Sequence, residues 1–208
     1  MPAASRGGKQ GKCFAAQVID GANIKRCKYQ AVQISGGASI RRTQMTFSLK
    51  SPAFGDGGRI PAKYTPDEDD LSPPLEWSDP PVGTKSFALV VEDPDAPSGT
   101  FHHWGLYNIM GERTLLPEGI GHGAKTNAKT DAKTKTERLG KGINDFGEPR
   151  YHGPAPPKGH GTHHYHFKLA ALDVEALSRA PEMSVADIWK SAEKHMLGQA
   201  ELIGIYSR

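Results

Sequence analysis

The chain has 208 residues, enough for one domain whose hydrophobic core needs no staples. Its 24 glycines and 16 prolines favour turns and short strands and argue against a helical bundle. Charge is unevenly split: residues 1–44 carry eight basic groups against Asp20 alone, a net of +7, whereas the remainder carries 18 basic and 22 acidic groups, a net of −4, so the mildly acidic body argues against a nucleic-acid-binding domain.

Both cysteines, Cys13 and Cys27, lie in the basic leader. From Met45 onward the chain depends on no disulfide and no thiolate metal site. No run of 18 apolar residues exists, so an integral membrane segment is not expected. The leader lacks the apolar stretch of a secretory signal, which makes the cytoplasm the default location. Residues 1–44 read as a basic N-terminal extension, either disordered or an artefact of a start upstream of Met45, and residues 45–208 as the domain.

Thr46 to Lys50 alternates and reads as an entering strand ended by Ser51-Pro52. Residues 55–74 form a long loop, followed by a short strand at Leu75 to Trp77. Ser86 to Glu92 carries the strongest strand signal. Phe87, Leu89 and Val91 share one face, with Asp93 next in phase, and because both faces are apolar the strand is expected to be central. His103 to Ile109 reads as the next strand, with His103, Gly105, Tyr107 and Ile109 on one side and Trp104, Leu106 and Asn108 on the other. Residues 111–150 form a polar excursion without a useful apolar period.

Thr162 to Leu172 is a long alternating strand, with His163, Tyr165, Phe167, Leu169 and Ala171 on one face. Asp173 to Ser178 reads as a helical turn. Ser184 is an N-cap with Asp187 in capping-box position, and Val185, Ile188, Trp189, Ala192 and Met196 supply a helical stripe that Gly198 would cap. Glu201 to Tyr206 closes the chain as a strand. The fold class is therefore all-β dominated: an antiparallel β-sandwich-like fold with peripheral helices, including a C-terminal helix.

Eight of the nine histidines fall between residues 102 and 166. Adjacent strand residues point to opposite faces, so only one of His102/His103 and one of His163/His164 can enter one pocket. One imidazole from each strand together with Asp93 or Asp95 can bind zinc; it can equally bind an oxyanion, with the carboxylate fixing the tautomer. The chain has no His-Glu-x-x-His helix, no Gly-x-Ser-x-Gly elbow and no phosphate loop.

The segments 90–105 and 153–167, which hold these histidines, resemble the phosphatidylethanolamine-binding protein family, in particular its bacterial Raf-kinase-inhibitor-like branch. The resemblance rests on Asp93-Pro94-Asp95-Ala96-Pro97, His102-His103-Trp104, and Gly153-Pro154-Ala155-Pro156-Pro157 continuing to His163-His164-Tyr165. Ser51 to Phe54 and Ala200 to Tyr206 resemble the family's start and end. It implies a small anion pocket at one end of the sheet, with Asp93, Pro97, His103, Ala155, His163 and Tyr165 as ligand-binding residues and no metal, cofactor or catalytic residue. The implied function is non-enzymatic binding of a phosphorylated or anionic small ligand, with a regulatory protein partner as a further role. A His/Asp-dependent hydrolase, metal-assisted or not, is the alternative. An isologous dimer is the base-rate expectation for assembly.

Overall fold

One strand sets the architecture. Ser86–Asp93 is buried along almost its whole length on both faces, so it needs a layer on each side. The computed structural model describes residues 46–120, 139–177 and 183–208. The expected extension at 1–44, both cysteines, residues 121–138 of the polar excursion and Ser178 lie outside the described residues.

In chain order the strands are β1 (Ser48–Lys50), β2 (Gly58–Arg59), β3 (Leu75–Ser78), β4 (Ser86–Asp93), β5 (Phe101–Met110), β6 (Leu115–Leu116), β7 (Gly140–Ile143), β8 (His163–Leu172), β9 (Met183–Ser184) and β10 (Met196–Tyr206), with one helix, α1 (Val185–Ala192), before β10. Seven form a sheet in the order β2-β10-β8-β4-β5-β7-β9, with β4 at its centre. β1, β3 and β6 form a smaller sheet. All pairings are antiparallel except β2 with β10 and β7 with β9.

The main core lies between the two sheets. Leu49, Leu75, Trp77 and Leu116 of the small sheet share it with Phe87, Leu89, Val91, Phe167 and Leu169 of the large one. The other face of the large sheet is covered by α1, where Ala88, Val90, Ala170 and Leu172 meet Val185, Ile188 and Ala192. Close contact of this layer needs Gly105: a Cβ there would stand 2.9 Å from a Val185 methyl. The result is the expected β-rich sandwich with a peripheral helix. No described helix is long and apolar enough to cross a membrane.

Three local expectations are corrected. First, β5 does not alternate strictly. Val91 pairs with Trp104 but Glu92 pairs with His102, which leaves His103 as an extra residue. A second irregularity falls between the Phe87–Ile109 and Leu89–Leu106 pairs, where Asn108 adopts φ +56°. Trp104, Leu106 and Ile109 therefore all face the inter-sheet core, while Tyr107 faces α1. Second, the helix stops at Ala192. The Ser184 cap is present, its hydroxyl accepting from the Asp187 amide, but Glu193–His195 tightens into a 3-10 turn and Met196 and Gly198 already belong to β10. Pairing with Leu172 and Ala171 of β8 overrides the helical period there. Third, residues 173–177 bend without forming a helical turn.

Candidate functional site

The end of β4 brings the first functional group inside. Val91 points into the sandwich, and two residues on Asp93 does the same, at the point where the apolar core stops. Asp93 is 3 % exposed. Its Oδ1 accepts from the Asp95 amide at 2.9 Å, which folds the Pro94–Pro97 turn back over it. Its Oδ2 accepts from His163 Nδ1 at 2.7 Å.

β8 supplies the second and third groups by plain alternation. His163, Tyr165 and Phe167 are buried; His164 is exposed and His166 half-buried on the other face. The outward histidines have partners of their own: His164 pairs with Asp95 and His166 with Glu201.

β5 supplies the fourth group by its bulge. The extra residue turns His103 inward together with Trp104, and the His103 ring meets Tyr165 edge to face at 5.3 Å. Its Nδ1 donates to the carbonyl oxygen of His152 at 2.9 Å. His152 in turn stacks on Phe146 with ring centres 4.0 Å apart. Gly153 continues this wall because its amide donates to Asp70 and a Cβ there would stand 2.1 Å from the Tyr64 carbonyl.

All six residues singled out from sequence, Asp93, Pro97, His103, Ala155, His163 and Tyr165, line one cavity of about 250 Å³. Phe101, Phe146, Pro156 and Pro157 complete its apolar wall. The polar groups converge at one side. Tyr165 is 1 % exposed, and its hydroxyl makes no hydrogen bond among the described residues; the Ala155 amide and the Asp93 carboxylate lie near it without reaching bonding geometry. Burial, and then the Asp93 charge, push the Tyr165 pKa well above its ordinary value, so the hydroxyl remains a donor. Burial lowers the His103 pKa and outweighs the opposing effects of the His152 carbonyl and Asp93, so this imidazole is neutral at pH 7.

His160 was not singled out from sequence. Its Nδ1 lies 2.8 Å from His163 Nε2, so an exposed imidazole, the buried one and the Asp93 carboxylate form one chain. Two left-handed glycines, Gly159 and Gly161, flank it, and that pattern reads only as a turn. Phe101 and Phe146 were also missed as walls. Phe146 sits in a polar stretch without apolar period. Among the described residues no group of three His, Cys, Asp or Glu side chains converges as a metal site.

Comparisons with known proteins agree with this architecture. A family profile described as phosphatidylethanolamine-binding protein matches residues 50–207. A protein of Aquifex aeolicus is 42% identical over 158 residues, 76% of this chain and 86% of its own length. YbhB of Escherichia coli is 35% identical over 165 residues, 76% of this chain and 99% of its own. The crystal structure of E. coli YbcL, described as a new member of the mammalian PEBP family, superposes with a TM-score of 0.68 at 32% identity, covering 78% of this chain and 98% of that one. On the matched profile, these identities and the shared fold, the chain belongs to the phosphatidylethanolamine-binding protein family.

Proposed function

We propose that the protein binds a small phosphorylated or otherwise anionic ligand in this cavity and does not turn it over. One observation carries the reading: a buried hydroxyl, that of Tyr165, makes no hydrogen bond among the described residues, inside a cavity that also holds His103 and the Asp93–His163 pair. A buried polar group without a partner costs about 1–3 kcal/mol, so a fold that keeps one at the wall of a cavity is built to receive a polar ligand there. Small-molecule sites run from about 300 Å³ upward, so this cavity suits a headgroup or a phosphoryl group better than acyl chains. The family's name points to the same chemical class.

Calorimetric titration with phosphoethanolamine tests it. Saturable binding is expected in the wild type, with a loss of about tenfold or more, ~1.4 kcal/mol, in Tyr165→Phe and in His103→Ala. Absence of saturation at millimolar ligand would remove the proposal. The Asp93–His163 pair also has the form of a general base with its orienting carboxylate, so hydrolysis of phosphate esters should be assayed on the same preparation. Turnover lost in His163→Ala, with or without stoichiometric zinc by elemental analysis, would convert the reading to the hydrolytic one. A phosphorylated partner protein presents the same phosphoryl group, and pull-down with and without competing phosphate separates that regulatory use from carriage of a free ligand.

A further inference from the structure

The oxygens of an anionic group accept hydrogen bonds, so the donors of the cavity decide how well it is held. The His152 carbonyl can only accept, so His103 Nδ1 carries the hydrogen between them and the neutral ring keeps a lone pair at Nε2. Both oxygens of Asp93 are taken, one by the Asp95 amide and one by His163 Nδ1. The Tyr165 hydroxyl, which makes no hydrogen bond among the described residues, is one donor. The remaining polar position is His163 Nε2, and His160 Nδ1 already stands 2.8 Å from it. An exposed imidazole thus occupies the ring nitrogen that a ligand oxygen would need.

Building on the binding function proposed above, we propose that His160 is a self-inhibiting latch: it holds His163 Nε2 in the ligand-free protein and is displaced when an anion enters the cavity. In the latched state His163 donates Nδ1–H to Asp93 and accepts at Nε2 from His160. In the released state it takes one proton from solution, keeps the Asp93 bond, and donates Nε2–H to an oxygen of the ligand. The imidazolium then balances the buried Asp93 charge, so the anion does not meet a bare carboxylate. Phosphate monoesters and diesters both present such an oxygen, so the latch acts on both alike.

The turn that carries His160 is built to swing. Gly159 at φ +77° and Gly161 at φ +94° flank it, and a Cβ at either would meet nothing within 4 Å. Two backbone bonds tie the turn down: the His160 amide donates to the Pro157 carbonyl at 3.1 Å and the Gly159 amide to the Arg208 carbonyl at 3.4 Å. His163 itself is fixed, by its place in β8 opposite Tyr206 and by Asp93. Release therefore breaks one imidazole bond and leaves the cavity wall in place. The groups facing His163 are Asp93 from β4, Asp95 from the turn after it, His103 from β5 and Tyr165 from β8. From β10 and beyond, Tyr206 and Arg208 are both bonded to Asp67.

Two measurements on the full chain test the latch, with phosphoethanolamine and the diester glycerophosphoethanolamine as probes. In protein labelled with nitrogen-15 at histidine, a nitrogen–nitrogen coupling across the His160–His163 hydrogen bond should be present without ligand and vanish at saturation. By calorimetry, His160→Ala should bind both probes about three- to tenfold tighter than the wild type, because one competing hydrogen bond is gone. His160→Asn, whose amide can still donate to His163, should stay within about twofold of the wild type. A coupling that is absent from the free protein or persists at saturation overturns the latch while leaving the binding function standing. So does His160→Ala binding no tighter than the wild type. Failure of the wild type and both variants to bind either probe removes the binding function itself, and the latch with it.

Discussion

His163 and His164 are neighbours on one strand, and each holds an aspartate oxygen 2.7 Å from its Nδ1. The contacts look alike and differ in surroundings. The His163–Asp93 side chains are 2 % and 5 % exposed, those of His164–Asp95 52 % and 42 %. Strand alternation alone makes the difference, sending one pair into the cavity and the other to water. A contact distance therefore says little until burial is known. The inner pair has lost its hydration and depends on itself, whereas water and salt can replace either partner of the outer one.

Deletion experiments should separate the two sharply. Asp93→Ala strands a buried imidazole and opens the Asp95 turn, and should cost about 3–5 kcal/mol in urea denaturation. A loss under about 1 kcal/mol would show that the inner pair is not desolvated. Tyr165→Phe removes a buried hydroxyl that has no hydrogen-bond partner among the described residues, so the ligand-free protein should gain about 1 kcal/mol, by the same assay, as its affinity for phosphoethanolamine falls. A gain in stability with a loss of binding marks a group kept for a ligand and not for the fold. If stability falls instead, the hydroxyl has an internal partner.

The pH dependence extends the comparison to His103. Its folded pKa lies below the value of about 6.5 in an unfolded chain, because burial disfavours the charged ring. Between the two values the unfolded state binds more protons. The stability this group contributes is complete above about pH 6.5 and is lost as pH falls through the folded pKa. His103→Gln should thus lose less stability than the wild type between about pH 7 and pH 5, read as the shift in urea midpoint. An equal or larger loss would contradict the burial argument. The smallest effect is expected from Asp95→Ala, under about 1 kcal/mol and shrinking further with added salt. The Asp95 carboxyl is held below its ordinary range by its side-chain and backbone hydrogen bonds from His164, but it is largely exposed.

Much of this arrangement was legible in the residues. Phe87, Leu89 and Val91 with Asp93 in phase identify the inward face of β4, and both-sided apolarity identifies its central place. Alternation in β8 separates His163 and Tyr165 from His164 and His166 without further information. The bulge in β5 was not legible. A single inserted residue leaves the apolar pattern nearly unchanged while reversing the face of the residues from it to the second irregularity near Asn108, and only pairing with β4 reveals where each falls. Met196 and Gly198 fit a helical period, but α1 ends at Ala192 and a three-residue tight turn follows, and the strand after it is held by its ladder with β8 and not by its own propensity. His160 and Phe146 reach the cavity from turns, where side-chain direction has no period to read.

The inner and outer histidines also provide the most direct test of the central claim. Inorganic phosphate is titrated into protein labelled with nitrogen-15 at histidine, and the imidazole nitrogen resonances are followed at neutral pH. Saturable shifts confined to His103, His163 and the linked His160, with His164 and His166 unmoved, are the predicted result. Equal shifts at all of them, or none at His103 and His163 at millimolar phosphate, would contradict a phosphate site in this cavity.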